Sequence, residues 1–176
     1  GAEELRRPSG SRGSGGGLTN IPIPITNPGG IAAGDTYSLA VQADGRVIAW
    51  GVDKLVTTQL PASLTNIVAV AAGYDHALAL QEDGRVVAWG ANGSGQCNVP
   101  EGLTGVVKMT AGAEHSLCLK WDSTLTAWGA TNFNQVPALA LTNCTRISAG
   151  AHHILAVRGD GAPIVFVHPR DTQVVL

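Results

Sequence analysis

The chain has 176 residues, of which 44% are hydrophobic and 14% charged. An average soluble domain is about 25% charged, so uncharged polar residues must supply much of the solubility here. The 23 glycines and 9 prolines disfavour a helical bundle, and a formal charge of −2 gives no electrostatic basis for binding nucleic acid or an anionic membrane.

Residues 1–17 combine arginines with a glycine-rich run and contain almost nothing apolar. Such a segment cannot bury enough surface to offset the entropy lost on ordering, which predicts a flexible arm or an expression remnant. Phosphate binding by the glycine-rich run is disfavoured, because no strand precedes it and it lacks the Lys-Ser/Thr ending of a phosphate-binding loop.

The next segment, residues 18–25, alternates Ile21, Ile23 and Ile25 with Pro22 and Pro24. A proline cannot donate a hydrogen bond to a neighbouring strand, so this segment predicts an edge strand paired on one side only. We expect it to cover a sheet edge near the apolar C-terminal strand that contains Phe166, either in its own chain or in a second copy.

From residue 22 onward the sequence repeats with a period of 38 or 39 residues. Each repeat has a proline, an Ala-Gly pair, an Asp-Gly turn and a tryptophan in the same order, with small departures. The Ala-Gly pairs begin at Ala33, Ala72, Ala111 and Ala149, and the aromatic positions are Trp50, Trp89, Trp128 and Phe166. The boundaries predict four units, at residues 22–60, 61–99, 100–136 and 137–176, joined into one domain over residues 18–176.

Within one unit the apolar residues alternate with the period of a strand. In the second unit, residues 67–71 predict one strand, and residues 76–80 and 85–89 predict a hairpin around the turn Asp83-Gly84. A fourth, weaker strand is expected near Val99-Pro100. Three or four short strands in each of several repeats of this length predict an all-β fold of propeller blades. A β-solenoid is the second choice, although its coils are usually shorter.

The second unit reads Ala72-Gly73-x-x-His76-x-Leu78-Ala79-Leu80, then Asp83-Gly84-x-Val86-x-Ala88-Trp89-Gly90, then Asn92-x-x-Gly95-Gln96-x-x-Val99-Pro100. This pattern resembles the regulator of chromosome condensation repeat, in the compact bacterial form also found in propeller-shaped β-lactamase inhibitory proteins. The resemblance implies a β-propeller, usually of seven blades, that acts through protein–protein contacts, in members that range from a guanine-nucleotide exchange factor to secreted inhibitors. The resemblance also favours a secreted or periplasmic location. From the absence of catalytic motifs we expect neither an enzyme nor a cofactor. Other units depart from the pattern, since the first has Val52-Asp53-Lys54-Leu55 in place of the Asn-x-x-Gly-Gln loop.

Four units are too few for the usual ring of this family, and an open arc would expose two sheet edges. Two copies could instead close a ring of seven or eight blades around a twofold axis, which predicts a homodimer. The alternative is that the chain is a repeat segment of a larger secreted or surface protein and has no partner of its own.

Three histidines, His76, His115 and His153, occupy one position of the repeat, where the first unit has Tyr37. A metal or general-base role is disfavoured, because equivalent residues of adjacent sheets are about 10 Å apart, far more than a metal–ligand bond. We therefore expect a structural role, such as a hydrogen bond to a neighbouring backbone carbonyl. No catalytic motif is present. The tryptophans of the repeat predict packing between blades, and the three cysteines predict small buried apolar groups.

Alternate connections of a blade emerge at the same end, so the Ala-Gly turns lie beside the loops that follow the tryptophans. We call this end the turn face: residues 35–37, 74–75, 113–114 and 151–152 with the loops after residues 51, 90 and 129. Its acidic and aromatic side chains predict binding to a protein with a basic patch. The candidate partner-binding residues are Asp35, Tyr37, Asp53, Tyr74, Asp75, Asn92, Glu114, Phe133 and His152, and the candidates for self-association are Ile21, Ile23, Ile25, Trp121 and Phe166.

Overall fold

The computed structural model describes residue 25, residues 28–130 and 141–161, and strands at 163–167 and 174–175. In this part of the chain the strands form four antiparallel sheets. The first contains β1 (Gly30–Ala33), β2 (Tyr37–Val41) and β3 (Val47–Gly51), and helix α1 (Lys54–Thr58) follows it. The second contains β4 (Ile67–Ala72), β5 (His76–Gln81) and β6 (Val86–Gly90). The third contains β7 (Val106–Ala111), β8 (His115–Lys120) and β9 (Leu125–Gly129). The fourth contains β10 (Cys144–Ala149), β11 (His153–Arg158), β12 (Pro163–Val167) and β13 (Val174–Val175).

These sheets confirm the all-β prediction and its hairpins. The expected weaker strand near Val99 is wrong, because residues 98–105 contain no strand. Pro100 has no N–H to donate to a ladder, and turn bonds hold the segment instead, from Asn98 N to Gly95 O at 3.0 Å and from Leu103 N to Pro100 O at 3.2 Å. The described helix is far too short to cross a membrane.

The Asp-Gly turns close the hairpins at the end opposite the turn face. In the second sheet, Gly84 has φ +81°, and the amide of Arg85 donates to Asp83 Oδ1 at 3.1 Å. The third sheet has Ser123 where the others have glycine, and Ser123 also has a positive φ, +64°. The turn geometry is therefore kept although the residue is less suited to it.

The sheets stack face to face, and the middle strand of each serves two interfaces. In β5, Ala77 and Ala79 lie in the apolar cluster shared with the first sheet, whereas Leu78 and Leu80 lie in the cluster shared with the third. A strand that is apolar on both sides fits this position, because successive side chains point to opposite faces. The third and fourth sheets share a further cluster of the same kind.

Two tryptophans tie neighbouring sheets together, as the repeat predicts. The indole N–H of Trp89 donates to Val56 O in α1 at 3.1 Å, and that of Trp128 donates to Gln96 O at 2.8 Å. Val56 is completely buried. Helix α1 thus takes the structural place that the Asn-x-x-Gly-Gln loop has in the second unit.

The spacing Ala-Gly-x-x-His also has a packing explanation. A Cβ atom added to Gly73 would lie 2.3 Å from His76 Cε1 and 2.6 Å from the carbonyl oxygen of Gly112. Only a glycine lets the ring three residues later lie over the turn while the next sheet approaches. The three cysteines carry free thiols; Cys118 and Cys144 are buried as expected, whereas Cys97 is half-buried.

Candidate functional site

Hydrogen bonds hold the Ala-Gly turns side by side and join each to the loop after its tryptophan. The amide of Asp35 donates to Tyr74 O at 3.4 Å, and the amide of Ala113 donates to Ala151 O at 3.0 Å. Within the second sheet, the amide of Ala91 donates to Asp75 O at 2.7 Å. Turns and loops therefore lie at one end of the sheets, as the strand pattern predicts.

A cleft of about 450 Å³ opens between the second, third and fourth sheets at the turn face. Tyr74 borders it with 53% of its surface exposed, and Ser94 Oγ donates to Glu114 Oε2 at 3.0 Å across it. The described lining residues are Tyr74, Asp75, Ala91, Gly93, Ser94, Gln96, Ala113, Glu114, Ala151 and His152. Four of the predicted residues, Tyr74, Asp75, Glu114 and His152, thus meet in one concave site.

Acidic side chains dominate this end of the molecule. The pKa of Asp75 is raised by partial burial and by the negative charges of Asp53 and Asp35. The carboxylates are therefore close enough to repel one another. Such repulsion is relieved when a cation approaches, which favours a positively charged partner group.

Tyr37 is a correction to the predicted partner-binding set, because only 1% of its surface is exposed. Its hydroxyl lies within hydrogen-bond distance of two carbonyl oxygens, Gly73 O at 3.2 Å and His76 O, which share its one proton, so the side chain joins the first sheet to the second. Burial raises its pKa above the ordinary tyrosine value. The carbonyl partner expected at this position of the repeat is thus found, but in a buried bond that a protein partner cannot reach.

Two other predicted residues shape the loops in which they lie. Asp53 Oδ1 accepts hydrogen bonds from the amides of Leu55 and Val56 and so caps α1. Asn92 Oδ1 accepts from the amide of Cys97 at 2.9 Å. Neither residue lines the cleft. Asp35 is exposed beside it, among the turns around the axis of the stack.

The candidates for self-association are spread over the chain. Trp121 is 76% exposed at the Asp-Gly end, where its ring lies over Gly105. Ile25 is half-buried. Ile21, Ile23 and the side chain of Phe166 lie outside the described residues, as do the partner candidate Phe133 and the arm at residues 1–17.

A buried Ser–His pair joins the second and third sheets, and pairs of this type can form a nucleophile. His76 Nε2 and Ser116 Oγ are 3.0 Å apart, and the Ser116 hydroxyl donates to Gln96 O at 2.9 Å. Since the serine proton is used there, the imidazole acts as the donor to Ser116 and not as its base. Both side chains are completely buried, and the described residues contain no metal-binding group of histidine, cysteine and acidic side chains.

Burial also holds these histidines neutral. The pKa of His76 is lowered to about 4, chiefly by burial and then by the neighbouring His115. The pKa of His115 is lowered to about 4 by burial and by His152 and His153. The repeated histidine is therefore a buried, neutral group in these two sheets, whereas His153 of the fourth sheet is exposed. Its structural role stays a prediction.

Ser94 and Gln96 are cleft residues that the sequence analysis did not single out. Both lie in the motif loop after Trp89, so the loop itself was the available signal. Ser94 also uses its amide, which donates to Gln96 Oε1 at 2.9 Å. The loop is therefore internally bonded and presents its serine hydroxyl to Glu114.

Comparison with known families identifies the repeat. Residues 67–96 match the family described as the regulator of chromosome condensation (RCC1) repeat. A sequence comparison with curated proteins gives no match.

Several solved structures share the fold. Prp20p from Saccharomyces cerevisiae, described with its binding properties to Gsp1p and histones, is 27% identical, with a TM-score of 0.62 over 77% of this chain and 42% of that one. The ectodomain of the Physcomitrella patens receptor kinase CR4 is 20% identical (TM-score 0.63, 77% of this chain and 40% of that one). Human WBSCR16 is 21% identical (TM-score 0.62, 77% and 46%). The chain thus spans less than half the length of each, and the last two show the fold alone.

Proposed function

We propose that this chain, a member of the RCC1 repeat β-propeller family, is a non-enzymatic module that binds a protein partner with a basic surface through its turn face. The observation that carries the proposal is the cleft between the second, third and fourth sheets. It combines the exposed ring of Tyr74, a residue type enriched at interfaces, with the carboxylates of Asp75 and Glu114, which complement a basic surface.

The negative charge of the cleft favours a partner with a basic surface. The described lining residues of the cleft include two acids and no lysine or arginine, and Asp35 and Asp53 add negative charge close by. A lysine or arginine entering the cleft would meet the carboxylates of Asp75 and Glu114 and the exposed ring of Tyr74. Prp20p, a structural relative, is described with binding properties to proteins, which is consistent with this type of function.

The proposal also includes self-association, because the first and fourth of the described sheets each have one face that no other described sheet covers. The protein partner and the second copy would use different surfaces of the chain. The turn face lies at one end of the strands, whereas the sheets stack through their flat faces. The two parts can therefore be tested separately.

The partner site is tested with a fluorescent basic peptide of lysine, arginine, glycine and alanine, compared with an acidic peptide of equal length. We expect the basic peptide to bind and to weaken with added salt, because salt screens exposed charges. Glu114→Gln should raise the dissociation constant about 2- to 5-fold, because one exposed charge contact is worth up to about 1 kcal/mol.

Glu82→Gln is the matched control, since Glu82 is exposed at the opposite end of the same sheets. It should leave the affinity unchanged. The proposal is wrong if the basic peptide does not bind, or if Glu82→Gln and Glu114→Gln weaken binding equally.

A further inference from the structure

Some apolar side chains of the first and fourth sheets are more exposed to solvent than the side chains at the same repeat positions in the second and third sheets. Leu155 of the fourth sheet is only half-buried, although Leu39, Leu78 and Leu117 at the same place in the other sheets are 0% exposed. Val157 is half-buried too. We call Leu155 and Val157 the trailing face, because their counterparts pack against the sheet that follows.

The first sheet shows the complementary pattern. Trp50 is half-buried, whereas Trp89 and Trp128 are 5% and 6% exposed. Ile31 is 75% exposed, and it occupies the place at which Val70 packs against the core of the preceding sheet. We call Ile31 and Trp50 the leading face, because their counterparts pack against the sheet that precedes.

We propose that two copies of the chain join through these faces, with the leading face of each copy stacked on the trailing face of the other. This deepens the self-association in the proposed function and does not depend on partner binding. Two identical joints of this kind close a ring with a twofold axis, so neither copy leaves an end uncovered.

The joint continues an interface that the chain already makes three times. Trp89 lies in one apolar cluster with Leu39, and Trp128 lies in one with Leu78. By the same repeat, Trp50 of one copy would pack against the partner's Leu155. Val70 lies in the cluster of Leu39 and Val41, so Ile31 would reach the partner's Leu155 and Val157. Each position thus has a counterpart that packs within the chain through the contact proposed here.

Sedimentation of the full chain tests the proposal. At about 100 µM, where association is favoured by mass action, the wild type should have twice the mass of one chain. Ile31→Glu should have the mass of one chain with an unchanged far-UV circular dichroism spectrum, because a highly exposed side chain is not needed for folding. Leu155→Glu should do the same from the other face.

Val107→Glu is the matched control, because Val107 is 50% exposed on β7 and lies on neither end face. It should remain a dimer. The mass of a single chain for the wild type, a mass that grows without limit with concentration, or a dimer that survives Ile31→Glu would each overturn the proposal. Failure of the peptide to bind would leave these masses unchanged, so the two proposals fail independently.

Discussion

Single positions in this chain show how a repeat keeps its geometry while its residues change. Gly105 stands where two other units have an asparagine with positive φ, Asn66 at +53° and Asn143 at +60°. A Cβ atom on Gly105 would lie 2.5 Å from the Trp121 ring, so glycine is needed beneath that tryptophan. Gly105 therefore keeps the positive φ of the asparagines in the other two units, and its lack of a side chain leaves room for the Trp121 ring.

Ser123 provides a prediction at this scale. Its φ of +64° is a conformation that costs a residue with a Cβ about 1–2 kcal/mol, whereas glycine adopts it freely. Ser123→Gly should therefore stabilise the protein by about 0.5–1 kcal/mol after the extra chain entropy of glycine is counted. Chemical denaturation monitored by tryptophan fluorescence measures this change.

The reverse substitution in the fourth sheet is its control. Gly161 has φ +84° with no atom within 4 Å of an added Cβ, so Gly161→Ser introduces only the backbone cost. It should destabilise by a similar amount. A Ser123→Gly protein no more stable than the wild type would contradict this explanation.

Residue roles were only partly predictable from the sequence. The repeat predicts a structural role for its histidines, because a side chain needed by every unit solves a problem that every unit shares. His76 and His115 are completely buried, which agrees with that role, whereas His153 is exposed. It did not predict that Tyr37 is buried, since its neighbours along the chain, Asp35 and Thr36, read as an exposed turn. Its burial depends on the carbonyl groups of Gly73 and His76 in the next sheet.

At the scale of elements, α1 shows that the first unit keeps a contact without keeping the motif. Five residues of helix bring Val56 to the place where its carbonyl accepts the indole N–H of Trp89. Gln96 presents the same carbonyl to Trp128 from a loop. Such a replacement was not predictable, because a backbone carbonyl leaves no signature in the sequence.

The cap of α1 gives the prediction for this scale. Asp53→Ala should lower the free energy of unfolding by about 0.5–2 kcal/mol, the usual cost of removing a helix cap. Asp53→Asn should cost much less, because asparagine also caps helices. Thermal unfolding of the two variants beside the wild type makes the comparison.

The same two variants distinguish the capping role of Asp53 from the effect of its negative charge at the turn face. Both variants remove the negative charge, so both should lower the pKa of Asp75, measurable by NMR titration of its carboxyl. Equal stability of Asp53→Ala and Asp53→Asn would contradict the capping role.

Over the whole molecule, the stacking of the sheets explains the core and predicts how the stability responds to acid. His76 and His115 lie between sheets with a pKa of about 4, below the ordinary value of 6.5. The unfolded chain therefore binds more protons than the folded chain between these values. Stability should be full above about pH 6.5, fall as the pH drops towards 4, and decline by up to about 3 kcal/mol for each histidine.

The first sheet provides the control for this prediction. It has Tyr37 in the place of these histidines, so His115→Tyr keeps a ring over the glycine and removes one titrating group. Its stability should change less between pH 6.5 and 4 than that of the wild type, in urea unfolding at several pH values. An equal loss in both proteins would contradict the assignment. The raised pKa of Asp75 has the opposite effect, because it adds stability as the pH falls. Since Asp75 is present in the wild type and in His115→Tyr, it does not affect their comparison.

The stack of sheets was predictable from the sequence because the residues that form its strands and turns recur in each unit. Four occurrences of one pattern predicted the sheets, their hairpins and the end at which turns and loops meet. The cleft was predictable only as a set of loops, since the contact of Ser94 with Glu114 joins different units. The helix in the first unit and the absence of a strand near Val99 were missed, because each depends on local turn bonds.

The central claim, that the turn face is the binding surface, is tested most directly by mapping the contact on the molecule. Amide chemical shifts of the ¹⁵N-labelled chain would be followed while the basic peptide is added. We predict saturable changes at residues 35–36, 74–75, 91–98 and 113–114, with unchanged shifts at the Asp-Gly turns 42–46, 81–85 and 120–124. Changes centred on the Asp-Gly turns, or none at a saturating peptide concentration, would contradict the account.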